Sequence, residues 1–180
     1  MNPWEVLSTR VLLDRRWLRV NEERVLLPNG AVIEEFHRLE SPDWVAVVPV
    51  TPGGDIVMVD QYRHGAKRTS RELPAGVIDA GETPIQAAKR ELLEETGYTV
   101  SELVPLFALS PEPHRSTQRG HIFLGKNAGP TGEARPEPTE VLEVHVLPAS
   151  EVVADALAGR IIHAVHVAAI LVAHGRGLLA

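Results

Sequence analysis

Short apolar runs separated by turn-forming residues make up most of the chain, a pattern typical of β-strands. Residues 45–51 are almost wholly apolar, and the turn Pro52–Asp55 separates them from a second apolar run that begins at Ile56. These runs predict two adjacent strands, the first of them buried on both faces of a sheet. Further strands are predicted in a hairpin-like region and at four later positions, namely 17–39, 72–78, 103–109, 120–124 and 141–147.

Helical periodicity occurs in the middle of the chain and again at its end. Thr83 and Gln86 form a capping-box pattern and Gly97 is a typical stop, which together predict a helix over 84–96. Two more helices are predicted within 149–175. Strands and helices mixed in this way predict an α/β fold, a mixed sheet covered by helices on its faces.

The central helix has a predicted core face and a separate acidic face. The positions spaced for the core face are Ile85, Ala88, Leu92 and Thr96. Glu91, Glu94 and Glu95 cluster about 125° away, where each like-charge pair destabilises a helix by about 0.2–0.5 kcal/mol. A solvated acidic surface is the ordinary explanation for such a cluster. The alternative is a divalent metal site, because Mg²⁺ prefers carboxylate oxygens.

Composition narrows the chemistry that is open to these residues. The chain has 180 residues, 44% of them hydrophobic and 23% charged, which is typical of a folded domain rather than a disordered chain. It has no cysteine, so a disulfide framework, a thiolate nucleophile and a cysteine-based zinc site are excluded. A net charge of −6 disfavours nucleic acid and membrane surfaces as partners. No signal-peptide pattern is visible and the apolar run 161–173 is too short to span a bilayer, so we predict a cytoplasmic protein.

The acidic helix is part of a longer motif with fixed spacing. The motif reads G-x5-E-x7-R-E-U-x-E-E-x-G-U, where U is apolar, and it resembles the Nudix box at every position. Seven fixed residues at these spacings make a chance match improbable. The fixed positions are held by Gly76, Glu82, Arg90, Glu91, Glu94, Glu95 and Gly97.

Resemblance to the Nudix family implies a fold and a reaction. Members fold as an α/β/α sandwich around a mixed sheet and hydrolyse a nucleoside diphosphate linked to another group, using Mg²⁺ or Mn²⁺. Arg90 would orient the glutamates of the box, and Glu94 and Glu95 would also serve catalysis. The implied metal ligands are Glu91, Glu94, Glu95 and the carbonyl of Ala75 or Gly76.

Outside the box the chain resembles the ADP-ribose pyrophosphatase branch of the family. The shared features include Gln61–Arg63, Glu72–Gly76 and Pro113. Members of this branch resemble domain-swapped homodimers in which N-terminal strands help to build the partner's base pocket. The resemblance therefore implies an N-terminal strand region over 1–40 for dimerisation and base binding, and a Nudix domain over 41–180.

The same resemblance implies a set of substrate-binding residues. Trp17 would stack on the base, but it could equally pack within a hairpin or against a second subunit. Arg63 would meet phosphate oxygens, and Arg71 could do the same or be merely solvated. The full set is Trp17, Arg38, Arg63, Glu72, Pro113 and Arg115.

The catalytic base is expected outside the box, on a mobile loop that precedes a late strand. Glu140 occupies the matching position at the end of a proline-rich loop. Glu112 and Glu143 are alternatives, and Glu140 could also be an ordinary surface glutamate. A loop-borne base could close onto the site after the substrate is seated.

Two histidines form a further pattern that the Nudix resemblance does not explain. His163 and His166 lie three residues apart in a region rich in alanine, valine and isoleucine. Such a pair resembles a metal site, but it has no third ligand nearby in the sequence. Histidines of a core or a dimer contact are the commoner explanation.

The sequence thus predicts a Mg²⁺-dependent hydrolase of a nucleoside diphosphate sugar, with Mn²⁺ as the second metal candidate. ADP-ribose, cleaved to AMP and ribose 5-phosphate, is the first substrate candidate, and another nucleotide sugar such as GDP-mannose is the alternative. A nucleotide-binding regulatory Nudix domain is the non-enzyme alternative, and the complete box disfavours it.

Overall fold

The chain forms two structural units. The computed structural model describes residues 2–179. The first unit contains the residues up to 43 together with 110–119. The second contains 44–109 together with the residues from 120 onward. Residues 110–119 therefore interrupt the second unit along the chain, which the pattern of strands and turns did not predict.

The first unit contains an antiparallel sheet in the order β1-β2-β3, with β1 at Glu5–Arg15, β2 at Leu18–Leu26 and β3 at Val32–Glu40. The predicted hairpin between β2 and β3 is confirmed. Gly30 lies in its turn with a φ of +84°, a conformation that favours glycine. Strand β1 was not delimited from the sequence, because two bulges interrupt its alternation and nearly all of its side chains are exposed.

The second unit carries the remaining strands and the helices. The strands are β4 (Trp44–Val50), β5 (Asp55–Arg63), β6 (Arg68–Glu72), β7 (Ala75–Val77), β8 (Tyr98–Thr99), β9 (Glu102–Leu109), β10 (Gly120–Lys126), β11 (Gly129–Pro130) and β12 (Leu142–Pro148). The helices are α1 (Pro84–Thr96), α2 (Ala149–Leu157) and α3 (Ala164–Gly175). No helix within residues 2–179 is long and apolar enough to cross a membrane.

The main sheet is mixed, with the order β12-β5-β4-β10-β9. Strands β4 and β10 run parallel, whereas β5 pairs antiparallel with β12 and β10 pairs antiparallel with β9. Strand β6 pairs with β5, and β7 pairs with β4. The short strand β7 thereby lies beside β4 at one end of the sheet.

Strand β4 is buried on both faces, as its apolar run predicts. Val45 and Val47 pack in a cluster with Leu92 of α1. Ala46 and Val48 belong to a second cluster that contains the apolar residues of α2 and α3. Helices therefore cover both faces of the sheet, which confirms the α/β/α arrangement.

The predicted strand 72–78 is divided into β6 and β7. Leu73 and Pro74 separate the two strands. Pro74 has no N–H group to donate to a ladder, which favours a break at this position. The segment at this break connects Arg63 with helix α1, because Glu72 binds Arg63 and the Ala75 N–H donates to Glu95.

Helix α1 has the predicted bounds but a different buried face. Ile85 is 41% exposed, whereas Glu91 and Glu95 are only 7% and 3% exposed. The prediction that the acidic residues point away from the core is therefore wrong for these two glutamates. The physical reason is that β7 passes directly over them, a non-local contact that helical periodicity does not report.

Candidate active site

The first turn of α1 is fixed by its own sequence. The Thr83 N–H donates to the Gln86 side-chain oxygen at 2.9 Å, and Pro84 occupies the first helical position. At the other end, Gly97 has a φ of +72° and its N–H donates to the Leu93 carbonyl. The helix that carries the three glutamates is thus held at both ends.

Strand β7 lies against the buried carboxyl groups of this helix. A Cβ atom at Gly76 would overlap the carboxyl group of Glu91, so only glycine fits here without displacement. The Ala75 N–H donates to Oε2 of Glu95 at 2.9 Å. Gly76 therefore allows close approach of the β7 backbone to the Glu91 carboxylate.

Burial perturbs the acidity of both carboxyl groups. It raises the pKa of Glu91 to about 7, against the opposing effect of the Arg90 guanidinium. It raises the pKa of Glu95 to about 8, against the hydrogen bond from Ala75. The negative charge of Glu140 raises the pKa of each of them further, so Glu140 acts electrostatically on both.

Arg90 binds several groups of the box at once. Its guanidinium donates to Glu82 and to the Val77 carbonyl, each at 2.9 Å. It also donates to Glu91 at 2.7 Å and to Glu94 at 3.1 Å. Arg90 therefore links the loop before α1, the strand β7 and two of the three glutamates, and it lowers the pKa of Glu82.

The donor atoms at this place suit a hard divalent cation. They are carboxylate oxygens and the backbone of β7. Glu91 and Glu95 are buried, and among residues 2–179 Arg90 is the one lysine or arginine that forms a hydrogen bond with either carboxylate. The oxygens of Glu91, Glu94 and Glu95 do not form a cluster in which all three lie within 4.8 Å of one another. The described residues contain one such cluster, and it is Glu22, Glu35 and His37 in the first unit, where only Glu22 is even partly buried.

Arg63 and Glu72 form a bidentate ion pair beside the box. Nε of Arg63 donates to Oε1 of Glu72 at 2.9 Å, and Nη2 donates to Oε2 at 2.6 Å. Glu72 is 1% exposed, whereas the Arg63 side chain is 43% exposed. The pKa of Arg63 is raised mainly by Glu72 and also by the charges of Glu95 and Glu140. The charge of Arg63 therefore interacts with Glu95 of the box and with the loop glutamate Glu140.

Arg71 is bound elsewhere in the second unit. Its guanidinium donates to Asp60 at 3.1 Å and lies within 4 Å of both Glu151 and Asp155. This network joins β5, β6 and α2. The structure therefore favours a structural role for Arg71 over contact with phosphate.

Four of the sequence-derived site residues lie in the first unit, namely Trp17, Arg38, Pro113 and Arg115. Trp17 is 51% exposed, and the guanidinium of Arg16 stacks 4.2 Å from its ring centroid. Trp17 also lines an open pocket of about 350 Å³ whose walls include Arg19 and Glu40. The indole is therefore accessible from solvent, beside charged side chains of both signs.

Arg38 and Arg115 have intramolecular partners. Nε of Arg38 donates to the buried Glu23 at 2.7 Å, and Nη2 lies 2.8 Å from Glu40. Arg115 is paired with Glu112, which lowers the pKa of Glu112. The carbonyl of Arg115 accepts a hydrogen bond from Leu39 N–H at 2.7 Å, and this bond ties residues 110–119 to β3.

The sequence did not reveal that the loop before Glu140 is anchored to α1. The Arg135 N–H donates to the Glu94 carbonyl at 2.7 Å, and the Thr131 N–H donates to the Gly97 carbonyl at 2.9 Å. A Cβ atom at Gly97 would lie 2.5 Å from the Gly132 carbonyl oxygen. The sequence signal for this contact was Gly97 at the end of the box. A glycine there can end a helix, but it can also allow another segment to approach closely.

Comparison with protein families gives two matches. Residues 41–168 match the model described as the NUDIX domain. Residues 4–39 match the model described as the nucleoside diphosphate sugar hydrolase N-terminal domain. The two matches together span most of the chain.

Individual relatives agree with these family matches. An ADP-ribose pyrophosphatase of Bacillus subtilis is 40% identical over 126 residues, which is 68% of each chain. An ADP-ribose pyrophosphatase of Mycobacterium tuberculosis is 31% identical over 174 residues, covering 95% of this chain and 83% of that protein. A crystal structure of an ADP compounds hydrolase matches the fold with a TM-score of 0.84 at 23% identity, covering 98% of this chain and 97% of the other.

Proposed function

Because the chain belongs to the Nudix hydrolase family, we propose that it cleaves the diphosphate of a nucleoside diphosphate sugar, with ADP-ribose as the first candidate. The observation that carries this proposal is the buried pair Glu91 and Glu95, held against Gly76 and Ala75 of β7. The match of residues 4–39 to the N-terminal domain of nucleoside diphosphate sugar hydrolases supports the substrate class. The names of the B. subtilis and M. tuberculosis relatives support ADP-ribose and favour an enzyme over a regulatory domain.

We assign metal binding to residues of the box. Glu91, Glu94 and Glu95 supply carboxylate oxygens, and the carbonyl of Ala75 or Gly76 completes the set. A bound divalent cation, Mg²⁺ first and Mn²⁺ second, would neutralise the diphosphate and lower the pKa of a bound water. Arg90 restrains Glu91 and Glu94 through its hydrogen bonds.

We assign the role of general base to Glu140. Its negative charge contributes to the raised pKa of Glu91, Glu95 and Arg63, in each case after larger effects from burial and hydrogen bonding. Glu140 would take a proton from the water that attacks one phosphorus in line. The anhydride P–O bond then breaks, and the products are AMP and ribose 5-phosphate.

Substrate binding is assigned to Arg63 and to residues of the first unit. Nη1 of Arg63 is not used in the ion pair with Glu72, and a guanidinium held on one edge can present its other edge to phosphate oxygens. Trp17 offers an exposed indole for stacking on a base. Arg38 would position the base rather than neutralise phosphate, because its charge is already paired with Glu23 and Glu40. Pro113 and Arg115 are assigned to binding the second group, the one that the diphosphate links to the nucleoside.

The proposal includes a homodimer. In this dimer the N-terminal strand region of one subunit contributes to the base pocket of its partner. Strand β1 is an edge strand with exposed apolar side chains, including Val6, Val11 and Leu12. Such an apolar edge favours burial against another protein surface. Light scattering after gel filtration should give twice the chain mass, and Leu12→Asp should give the monomer mass; a monomeric wild type would refute the dimer. The cytoplasmic location stays a prediction.

The function is tested by product release from a panel of substrates. Purified protein is incubated with Mg²⁺ and ADP-ribose, GDP-mannose, other nucleotide sugars or dinucleotides, and released phosphate is measured after treatment with phosphatase. ADP-ribose should be turned over fastest. Preference for a non-adenine sugar would refute the ADP-ribose assignment, and no turnover of any substrate would refute the proposed function.

A further inference from the structure

A histidine of α3 lies behind the ion pair that presents Arg63. His166 and Glu72 are each 1% exposed. Nδ1 of His166 lies 3.7 Å from Oε2 of Glu72, the oxygen that accepts the 2.6 Å hydrogen bond from Arg63. His166 and the Glu72 carboxylate therefore lie side by side in the interior of the second unit.

One hydrogen bond, at Nδ1, indicates the protonation of the His166 ring, whose buried Nε2 has no hydrogen-bond partner among the described residues. The Leu73 N–H donates to Nδ1 at 3.2 Å. A nitrogen that accepts a hydrogen bond carries no proton, so the neutral ring has its proton on Nε2. Burial, helped by the charges of His163 and Arg63, lowers the pKa of His166 well below its ordinary value, in agreement with a neutral ring.

Two aromatic side chains lie beside the His166 ring. His163 stacks on His166 with a centroid distance of 4.0 Å and an interplanar angle of 17°. The indole of Trp44 lies 5.8 Å from the His166 centroid. Within the described residues, the two histidines are not part of a tight cluster of three possible metal-ligating groups.

The bond to Leu73 acts on the segment that connects β6 to β7. We call residues 72–75 the strap. The strap is held by His166 at Leu73 and by the Val47 N–H, which donates to the Pro74 carbonyl at 3.0 Å. At its two ends it presents Glu72 to Arg63 and the Ala75 N–H to Glu95. A shift of Leu73 would therefore move the carboxylate that aligns Arg63.

We propose that His166 is a positioning residue for substrate binding, which holds the strap through Leu73 and thereby keeps Glu72 aligned with Arg63. The inference rests on the proposed function, in which Arg63 binds the diphosphate. Loss of the acceptor would leave the buried Leu73 N–H without a partner and free the strap to move. Because Arg63 in this proposal contacts the substrate in both the ground state and the transition state, we expect loss of the His166 acceptor to change KM more than kcat.

Two substitutions of similar polarity separate the proposed role from a general packing role. Asparagine carries an acceptor near the position of Nδ1, whereas glutamine carries its polar atoms farther out, near the position of Nε2. His166→Gln should raise KM for ADP-ribose about tenfold with kcat within about threefold of wild type, and His166→Asn should keep KM within about threefold. His163→Asn is the matched control, because His163 shares the ring stack but the bond to Leu73 is made by His166, and its KM should equal that of wild type.

A double-mutant cycle tests whether the effect passes through Arg63. In an Arg63→Ala background, His166→Gln should leave KM unchanged, because the group that it aligns is gone. An undiminished tenfold effect in that background would overturn the inference, as would equal KM values for the asparagine and glutamine variants. If wild-type protein turns over no nucleotide sugar, the proposed function falls together with the inference; if it is active and the cycle is additive, the inference alone falls.

A measurement on the wild-type protein does not depend on the folding of any variant. The nitrogen chemical shifts of His166 should report a neutral ring with its proton on Nε2 at about pH 7. A proton on Nδ1 would overturn the inference, because that atom could not then accept from Leu73.

Discussion

At the scale of single residues, the second unit buries carboxyl groups where folding stability alone would not favour them. Glu91 and Glu95 lose most of their hydration, and the pKa of each rises as a result. Burial of a charge is unfavourable unless partners compensate for the lost water. Glu72 has such a partner in Arg63, whereas Glu95 has only the Ala75 N–H as a hydrogen-bond donor among the described residues. Perturbed groups of this kind are typical of a site that binds a ligand.

The loop glutamate gives the first prediction. Glu140→Gln removes the proton acceptor but keeps the size of the side chain, so kcat should fall by about 10²–10⁴ while KM changes little. Steady-state rates with ADP-ribose and Mg²⁺ measure both constants. Glu143→Gln is the comparison, since Glu143 is an exposed residue of β12, and it should retain kcat. If both variants keep the wild-type kcat, Glu140 is not the base and Glu95 becomes the candidate.

The close approach of β7 to α1 gives the second prediction. Gly76→Ala places a Cβ atom on the Glu91 carboxyl group, which must then turn away from the position assigned to metal binding. We expect kcat/KM to fall by about 10²-fold and the Mg²⁺ concentration for half-maximal rate to rise. A Mg²⁺ titration of initial rates measures both effects.

A second glycine of the same unit provides the control for Gly76→Ala. A Cβ atom added at Gly129 would meet no atom within 4 Å, and the φ of Gly129 is not positive, so Gly129→Ala should leave activity and metal dependence unchanged. Equal activity of the two alanine variants would contradict the assignment of Glu91 as a ligand.

At the scale of elements, local sequence signals predicted the positions of helices and strands better than they predicted which elements contact one another. The caps of α1 and the two-sided burial of β4 follow from neighbouring residues, and both are confirmed. The buried face of α1 was wrong at Ile85 because helical periodicity counts apolar residues and cannot register a strand that packs over glutamates. The role of Leu73 in binding His166 was invisible for the same reason, since these two residues are 93 positions apart. The box residues could be proposed as a site because their spacing forms a recognisable motif, whereas the strap and the anchored loop depend on the tertiary fold.

The junction between α1 and the following loop gives the third prediction. Gly97 and Gly159 both have positive φ, +72° and +69°, at the ends of helices. An added Cβ at Gly159 meets no atom within 4 Å, whereas at Gly97 it would press on the Gly132 carbonyl. Gly159→Ala should lower the free energy of unfolding by about 1–2 kcal/mol through its backbone conformation alone. Gly97→Ala should cost about 1–3 kcal/mol more through the added overlap.

Urea unfolding and steady-state kinetics together test this junction. Gly97→Ala should also lower kcat, because the Thr131 and Arg135 hydrogen bonds that anchor the loop before Glu140 are made at this end of α1. Gly159→Ala should not change kcat. Equal losses of stability in the two variants would show that the loop yields to the new methyl group, contrary to our expectation.

At the scale of the whole molecule, the net charge of −6 is concentrated around the box. The segment 72–97 has six acidic and two basic residues, so it accounts for most of that charge. A substrate with a diphosphate is also negative, and bound cations together with Arg63 would reverse the local sign. In the second unit, α1 with its carboxylates covers one face of the main sheet, and α3 with His166 covers the opposite face.

The buried histidine gives the last prediction, a dependence of folding stability on pH. The pKa of His166 is far below its ordinary value in the folded protein, and the charged or titratable groups that face it are Glu72, Arg63 and His163. In the unfolded chain the pKa is about 6.5. Below about pH 6.5 the unfolded chain therefore binds a proton that the folded protein does not bind. The free energy of unfolding should fall as pH decreases, by up to about 1.4 kcal/mol per pH unit, until the folded-state pKa is reached.

Urea unfolding of wild type and His166→Asn between about pH 7.5 and 5.5 isolates this effect from other titrating groups. Asparagine does not titrate, so the wild type should lose about 1 kcal/mol relative to the variant over that range. The sign is diagnostic, because a histidine stabilised by an ion pair with Glu72 would make the wild type gain stability as pH falls. A difference that does not change with pH would mean that the folded protein takes up the proton as readily as the unfolded chain, and that His166 is not held neutral by the bond from Leu73.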